Sequence, residues 1–286
     1  MILFKEGFSR VKRKGKYGFV NENLEEIIPC KYDFAYSFSE GMAAVQKGQK
    51  WGYIDKNGVE VIPCIYSSAN SFSEGLAGVK KEKAGFVNYA GEIIVPFEYT
   101  STGDFVDGLA PVSVEGKTTF LNMKFGYINK LGEVVIPLKY NFAWNFSEER
   151  ACVLNGDNKA GFIDKNGKKI TKFIFNNSGT FFHSGLSSVK NEKKTGVINE
   201  KGKVVVDFNY DFISGFENDL AWVIKDKRHG YINWLGQEVI KLTYEKASDF
   251  IGDFACVKMN NKYGVINKGE YIIIPFKYDF AQIVSV

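Results

Sequence analysis

The stretch "KWGYIDKNGVEVIP", Lys50–Pro63, decides the fold, because close copies of it follow one another along the chain. Its glycine recurs at Gly18, Gly52, Gly85, Gly126, Gly161, Gly196, Gly230 and Gly264. Each copy has Val or Ile two residues after this glycine, and Asn or Asp directly after that residue. Because these columns agree in all eight copies, they predict a tandem repeat of about 34 residues.

A phenylalanine opens every copy and defines the repeats. Repeats 1 to 8 start at the opening phenylalanines Phe4, Phe38, Phe72, Phe105, Phe146, Phe182, Phe216 and Phe250. A ninth opening phenylalanine would fall at Val284. Since no linker or change in composition interrupts the series, we expect a single repeat domain over residues 1–286.

Three short strands are predicted in repeat 2, at residues 41–47, 50–55 and 59–63, because they are rich in branched and aromatic residues. The turn "DKNG", Asp55–Gly58, has the composition of a type I turn followed by a glycine in the left-handed conformation. The Asp side chain is expected to accept a hydrogen bond from the turn backbone. This expectation explains the Asn/Asp column without any catalytic chemistry.

Further columns predict how the strands pack. Gly52 lies in the middle of a predicted strand, so another backbone, or a ring such as Tyr66 or Phe38, should approach it closely. Pro63, which recurs in four other repeats, should end the third strand because proline has no N–H to donate. Tyr32 and Phe38 should be buried anchors between repeats.

The repeat length sets the fold class. A three-stranded unit of this size cannot bury its apolar face alone, whereas stacked copies can. We therefore predict an all-β tandem repeat of eight ~34-residue three-stranded antiparallel units. The turn glycine is replaced only in the first and last repeats, by Leu24 and Glu270. Atypical end repeats favour an open, twisted β array or solenoid, and a closed eight-bladed propeller-like ring is the alternative.

Composition narrows the possible functions. The net charge is only +4 over 286 residues, and no apolar run approaches the ~18 residues of a membrane helix, so we expect a cytoplasmic protein. The four cysteines have no metal-binding spacing and should be thiols. Neither His183 nor His229 has a recurring acidic or nucleophilic neighbour, and the recurring glutamates, such as Glu40, should be solvated turn residues. We therefore expect no enzyme, no cofactor and no metal site.

One long pattern is shared with a known family. The pattern "FSEGLAxV…KWGYIDxxGxxVIPxxYDxAxxF" is matched by Phe38–Val45, Lys50–Pro63 and Tyr66–Phe72, and it resembles the bacterial WG-repeat family over nearly the whole chain. Tryptophan itself occurs in its column only at Trp51. The resemblance implies a β-rich repeat scaffold that serves as an interaction module, and it supplies no catalytic residues.

Candidate partner-binding residues fall in two places. The first hairpin of most repeats is rich in lysine, and stacking would align these hairpins as a basic edge beside the Trp51 column. The candidates at this edge are Trp51, Phe125, Tyr263, Lys12, Arg13, Lys50 and Lys227. Repeat 4 contains about seven additional residues, and insertions in repeat proteins often form binding loops. The apolar candidates near this insertion are Phe120, Leu121 and Met123.

The sequence therefore predicts a non-enzymatic repeat scaffold that mediates protein–protein interaction. The alternative is a carbohydrate- or polyanion-binding repeat protein that uses the basic, aromatic-lined edge. Both candidate regions also have a purely structural interpretation, because lysines discourage strand addition at an edge and a longer hairpin can simply pack on its neighbour. We expect a partner protein first and a polyanion or glycan second, with no membrane and no sequence-specific nucleic acid.

Overall fold

The computed structural model describes residues 4–115, 123–176, 184–216 and 219–283, which contain β-strands and no helix. The first fifteen strands are β1 Phe8–Arg13, β2 Lys16–Asn21, β3 Glu26–Tyr32, β4 Phe34–Ala35, β5 Met42–Lys47, β6 Lys50–Asp55, β7 Glu60–Tyr66, β8 Ser68–Ala69, β9 Ala77–Lys80, β10 Ala84–Val87, β11 Ile93–Tyr99, β12 Ser101–Thr102, β13 Leu109–Val114, β14 Lys124–Asn129 and β15 Val134–Tyr140. The remaining strands are β16 Phe142–Ala143, β17 Arg150–Leu154, β18 Ala160–Asp164, β19 Leu186–Lys190, β20 Thr195–Asn199, β21 Val204–Tyr210, β22 Phe212–Ile213, β23 Leu220–Lys225, β24 Arg228–Asn233, β25 Glu238–Tyr244, β26 Lys246–Ala247, β27 Phe254–Met259, β28 Lys262–Asn267 and β29 Ile272–Tyr278.

These strands form eight antiparallel sheets in chain order, which confirms the all-β tandem repeat. The sheets are β1–β3, β4–β7, β8–β11, β12–β15, β16–β18, β19–β21, β22–β25 and β26–β29. Five of these sheets, within the described ranges, have four strands instead of the predicted three. The additional strand has two residues, as in Phe34–Ala35, which pairs with Gln46 and Val45. Such a strand is too short for an alternating pattern to reveal it.

Contacts between residues divide the chain into two compact units. Unit 1 comprises Met1–Gly156 and Asp164–Lys168, and unit 2 comprises Asp157–Ile163 and Lys169–Val286. The single domain over residues 1–286 stays a prediction, as does the choice between an open array and a closed ring.

The turn at Asp55 has the predicted geometry. The Asp55 N–H donates to the Val59 carbonyl (2.9 Å), and the Gly58 N–H donates back to the Asp55 carbonyl (3.0 Å). Asp55 Oδ1 accepts from the N–H groups of Asn57 (2.9 Å) and Val59 (2.8 Å). Gly58 has a φ of 77°, the left-handed conformation that glycine adopts at no steric cost. The predicted turn and the structural role of the Asn/Asp column are confirmed.

Gly52 is required by a close approach of the backbone. A Cβ at this position would lie 2.4 Å from the Ile62 carbonyl oxygen and 2.6 Å from the Pro63 carbonyl carbon. The prediction of a close approach is therefore confirmed, and its source is the repeat's own third strand, not the rings of Tyr66 or Phe38. The cause is an irregular register, because Trp51 pairs with Tyr66 whereas Tyr53 pairs with Ile62. The third strand bulges towards the glycine between these two pairs.

The prediction that proline ends the third strand is wrong. Strand β7 continues through Pro63 to Tyr66, and it pairs on one side only, with β6. Pro63 is exposed in this edge strand, where no ladder partner needs its N–H. The repeats without this proline carry an exposed charged residue there: Lys172, Asp207 and Lys241. Proline and charge both discourage pairing with another strand, so the column protects the sheet edge.

The first and second sheets bury their apolar faces against each other. One core layer contains, from the first and second sheets, Phe19, Ile28, Tyr32, Ala35, Phe38, Ala43, Val45 and Ile54. The Phe38 ring lies 4.8 Å from the ring of Phe8 and 4.8 Å from that of Phe19, between centroids. Tyr32 and Phe38 are 1% and 0% exposed, so the predicted buried anchors are confirmed. In unit 2, Phe250 occupies the same place, with its ring 4.8 Å from Tyr231.

Candidate functional site

Four partly exposed aromatic side chains in the first two sheets form a cluster that we call the aromatic edge: Tyr17, Phe34, Tyr36 and Trp51. Trp51 stacks on Tyr36, with centroids 5.2 Å apart and an interplanar angle of 19°. Phe34 lies 5.8 Å from Trp51 and 5.1 Å from Tyr17. Tyr17, Phe34 and Trp51 belong to paired strands, and the Tyr36 N–H donates to the Ala44 carbonyl (2.9 Å). The backbone therefore fixes the cluster.

Two cations lie on the rings of the aromatic edge. The exposed Arg10 guanidinium lies 5.3 Å from the Tyr17 centroid and 5.2 Å from that of Phe34. One of its nitrogens donates to the Ala35 carbonyl at 2.6 Å, which holds the guanidinium in place. Lys12 Nζ lies 4.8 Å from the Tyr17 centroid. Because ring faces attract cations, the aromatic edge combines apolar surface with a fixed positive charge.

Several other hairpin cations are neutralised by carboxylates, which sequence analysis did not anticipate. The pairs are Arg13 with Glu26 (2.8 Å), Lys16 with Asp33 (2.5 Å), Lys47 with Glu60, and Lys194 with Asp211 (2.7 Å). Lys50 is exposed and, within the described ranges, has no such ion pair. The hairpins therefore carry less net positive charge than their lysine content suggests.

Asp33 connects two repeats through its charge. The hydrogen bond from Lys16 lowers the pKa of the Asp33 carboxyl, and the N–H of Gly48, 2.8 Å from Oδ2, lowers this pKa further. Gly48 belongs to the first hairpin of the next sheet. Asp211 repeats this arrangement in unit 2, where it pairs with Lys194 and accepts from the Asp226 N–H (2.9 Å). At both positions the aspartate therefore connects its own repeat to the hairpin of the next one.

The remaining predicted residues are dispersed. Phe125 is buried, with its ring 4.9 Å from that of Phe142. Tyr263 is partly buried beside Lys258 (Nζ to centroid, 5.7 Å), and Lys227 is exposed. Met123 accepts a hydrogen bond from the Ser113 hydroxyl (3.8 Å). Phe120, Leu121 and His183 lie outside the described residues.

A second tryptophan cluster was missed by the analysis of single sequence columns. Trp144 lies 4.6 Å from Phe142 in an edge-on contact. Trp144 and Phe142 occupy the same positions in their repeat that Tyr36 and Phe34 occupy in the aromatic edge. The signal was present as two related segments, "FAY" at 34–36 and "FAW" at 142–144. Comparing two columns at once would have found it.

The third cluster, in unit 2, joins Trp222 to His229. Their rings are stacked, with centroids 5.5 Å apart and an interplanar angle of 17°. Burial lowers the pKa of His229, and the charge of Lys246 lowers it further. The buried Nδ1 of His229 has no hydrogen-bond partner within the described ranges. A neutral ring packed on tryptophan agrees with a packing role for this histidine.

A series of acids connects the turns of successive repeats, and we call it the carboxylate ladder: Glu6, Glu40, Glu74 and Asp107. Glu6 accepts from the N–H groups of Glu40 (2.6 Å) and Gly41 (3.0 Å). Glu40 accepts in the same way from Glu74 (2.7 Å) and Gly75 (2.9 Å). Glu74 then accepts from Gly108 (3.1 Å) and Asp107 from Glu149 (2.8 Å). Glu6 and Glu40 are exposed whereas Glu74 and Asp107 are partly buried, and all four connect one repeat to the next.

The described residues contain no group of three or more His, Cys, Asp or Glu side chains that could hold a metal ion. Over the same ranges, no helix has the length and apolar character needed to cross a bilayer. The four cysteines are thiols, two of them buried and two partly exposed.

The family model of the WG-containing repeat matches the chain in eight consecutive segments: residues 17–51, 51–83, 85–117, 125–158, 161–194, 196–228, 230–263 and 263–284. The chain belongs to the WG-repeat family. This confirms the resemblance carried by the Trp51–Gly52 pattern. Among proteins of curated function, none matches this WG-repeat chain.

Several solved structures are similar to the WG-repeat chain in fold. The computationally designed protein Ika8 has 9% sequence identity and a TM-score of 0.46, and the match covers 83% of this chain and 84% of Ika8. Hsv2 of Kluyveromyces lactis has 12% identity and a TM-score of 0.46 (92% and 94% covered). AztD of Citrobacter koseri has 10% identity and a TM-score of 0.43 (93% and 92% covered). At these values the similarities say nothing about function.

Proposed function

We propose that this WG-repeat protein is a non-enzymatic interaction module that binds a partner protein through the aromatic edge. The observation that carries the proposal is the stacked Trp51–Tyr36 pair with Arg10 fixed beside it. Tryptophan, tyrosine and arginine are the residue types that dominate the binding energy of protein interfaces. Their attachment to paired strands limits the conformational entropy that binding would cost.

A polyanion or glycan is the alternative ligand. Lys12 lies over the Tyr17 ring, and aromatic stacking combined with cations suits a single-stranded nucleic acid or a sulfated sugar. Against this alternative, carboxylates neutralise cations of several hairpins, as with Lys16 and Asp33. A surface with mixed charge and exposed rings favours a protein partner.

The test compares affinity capture by three forms of the full chain from an extract of the native host. They are the wild type, a Trp51→Ala/Tyr36→Ala double variant and the control Trp234→Ala, since Trp234 is exposed but lies outside the aromatic edge. We expect at least one partner that wild type and control retain equally and the double variant loses at least about fivefold. Direct binding of that purified partner should show the same order. Equal binding by all three forms would refute the proposal.

Heparin and a thymidine oligonucleotide test the alternative at low salt, where phosphate and sulfate contacts are strongest. We expect no saturable binding that depends on Trp51. Binding that the Trp51→Ala/Tyr36→Ala variant loses would replace the protein partner with a polyanion. The four thiols favour action in a reducing compartment such as the cytoplasm.

A further inference from the structure

The last sheet exposes an apolar face that the other repeats bury. Ile274 and Tyr278 of β29 are 40% and 44% exposed. Their counterparts in repeat 7, Ile240 and Tyr244, are 0% and 4% exposed beneath the last sheet. Repeat 8 therefore carries the residue types of an internal interface on an exposed face.

This face contains an apolar groove of about 460 Å³, which we call the end groove. Its lining includes Phe254, Val265, Ile274, Tyr278, Phe280 and Ile283. Phe254 and Val265 correspond by register to Phe8 and Phe19 of the first sheet. The rings of Phe8 and Phe19 hold the opening phenylalanine Phe38 of the following repeat. The end groove is therefore the site that a following repeat's opening phenylalanine would fill.

The same contact recurs at four other places. The ring pairs are Tyr53 with Phe72 (4.9 Å), Phe86 with Phe105 (4.8 Å), Tyr127 with Phe146 (4.8 Å) and Tyr231 with Phe250 (4.8 Å). In repeat 6, Val197 stands at the position of Val265, and the partly buried opening phenylalanine Phe216 packs against the core cluster that contains Val197. In the sequence, Val284 stands at the corresponding place, and it lies outside the described residues.

A polar contact point lies beside the groove. Asp279 stands at the repeat position of Asp33 and Asp211, each of which accepts an N–H from the following hairpin. Asp279 pairs with Lys262 (2.6 Å), and its side chain is 90% exposed. Its second oxygen is therefore placed to accept from an incoming hairpin, as Asp33 accepts from Gly48.

We propose that the end groove binds the opening phenylalanine of a WG-type repeat supplied by a partner protein, carried on a Phe-x-Glu/Asp-Gly turn. The ring fills the space between Phe254, Val265 and Ile274, and the attached strands cover Tyr278. The interaction extends the stacking that already joins the repeats of this chain, so its chemistry is that of the internal interface. It is independent of the aromatic edge, which lies on the first two sheets.

A synthetic peptide with the sequence of residues 32–47 tests this proposal, because it carries one opening phenylalanine and its turn. The labelled peptide is titrated with the full chain, and binding is followed by fluorescence anisotropy. We expect one saturable site per chain. The same peptide with Phe38→Ala should bind at least about tenfold more weakly, because it lacks the ring that the groove would bury.

Variants of the chain locate the site. Ile274→Lys places a charge in the groove and should weaken binding of the unaltered peptide at least about tenfold. Ile94→Lys is the matched control, because Ile94 is exposed to a similar degree (39%) but lies in repeat 3, and it should bind as the wild type does. Circular dichroism establishes that both variants keep their β structure.

Three outcomes would overturn the proposal. They are no saturable peptide binding, equal affinity for the unaltered peptide and its Phe38→Ala form, and equal affinity of the wild type and Ile274→Lys. Light scattering tests whether a second copy of the chain occupies the end groove instead. A dimer that Ile274→Lys dissociates would show that a second copy of the chain covers the face, and this would replace the partner repeat.

Discussion

Repeats 1 to 4 and repeats 6 to 8 have the same kind of apolar packing but differ at their first turns. Phe38 and Phe250 are both buried against a ring of the preceding sheet. The turn acids of the carboxylate ladder occur only in the first group, and repeats 6 and 8 have Ser184 and Gly252 in this column. The carboxylate ladder of repeats 1 to 4 is therefore a polar connection added to the apolar layer that both groups have.

The carboxylate ladder stabilises turns of unusual backbone conformation. Glu40 and Gly41 both have positive φ, 53° and 80°, which is costly for glutamate and leaves their N–H groups pointing out of the turn. The Glu6 carboxylate accepts from both N–H groups and also pairs with Lys56 (3.2 Å). Hydrogen bonds to a charged group are stronger than neutral ones, so each acid stabilises the turn of the next repeat.

The largest expected change in stability comes from removing an opening phenylalanine. Phe38→Ala and Phe250→Ala should each lower the free energy of unfolding by about 3–5 kcal/mol, because each removes a buried ring and leaves a cavity. Chemical denaturation followed by circular dichroism measures the loss. Phe280→Ala is the control, since this ring is 72% exposed, and it should change stability by less than about 0.5 kcal/mol. A much smaller loss for Phe250 than for Phe38 would show that the two regions do not share one packing principle.

A medium effect tests the carboxylate ladder. Glu40→Ala removes the acceptor for the N–H groups of Glu74 and Gly75 and for the Tyr89 hydroxyl (2.8 Å). The free energy of unfolding should therefore fall by about 1–2 kcal/mol. Glu82→Ala is the matched control, because Glu82 is an exposed hairpin glutamate of repeat 3, and it should have almost no effect. If both variants lose the same stability, the carboxylate ladder does not stabilise the stack.

The smallest effect is the pH dependence of the turns. Burial raises the pKa of Glu6 and of Glu40, but hydrogen bonds from Gly41 and Gly75 respectively contribute to a larger opposing effect, so both values are lowered. A lowered folded-state pKa gives stability that is present above the unfolded value and is lost as pH falls through the folded value. Amide protection at Gly41 and Gly75, corrected for intrinsic exchange, should therefore fall between about pH 5 and pH 3.

Repeat 8 and a conservative variant sharpen this measurement. In repeat 7 this column has Asn218 instead of an acid, so amide protection at Gly252 in the next turn should change less over the same pH range. Glu40→Gln should abolish the pH dependence at Gly75 while leaving that at Gly41 intact, since Glu6 serves Gly41. An equal fall at Gly252 would mean that general acid destabilisation, not the carboxylate ladder, controls the turns.

The sequence predicted the features that depend on neighbouring residues. The turn at Asp55 and the requirement for Gly52 follow from chemistry within a few residues or within one hairpin. Repetition in eight copies made these signals clear. The family and the all-β class followed from the same columns.

Features that depend on the register between sheets were not predicted. The contact between Glu6 and Glu40 spans 34 residues, so it becomes visible only when two turns are placed one above the other. The position of Pro63 within a bulged strand depends on how β7 passes Gly52, which composition does not reveal. The aromatic edge requires Tyr17, Phe34 and Trp51 from three strands to converge, whereas only Trp51 was recognised as a candidate.

The exposed proline or charged residue in the third strand has a consequence for how such proteins change in length. At Pro63 and Lys241 alike, lateral growth by strand addition is unfavourable. Insertion of one complete copy between two others places each new face against a complementary one. A tandem duplication of the coding unit can therefore add a whole repeat without exposing a new sheet edge to strand addition, whereas a partial duplication would leave unmatched apolar surface.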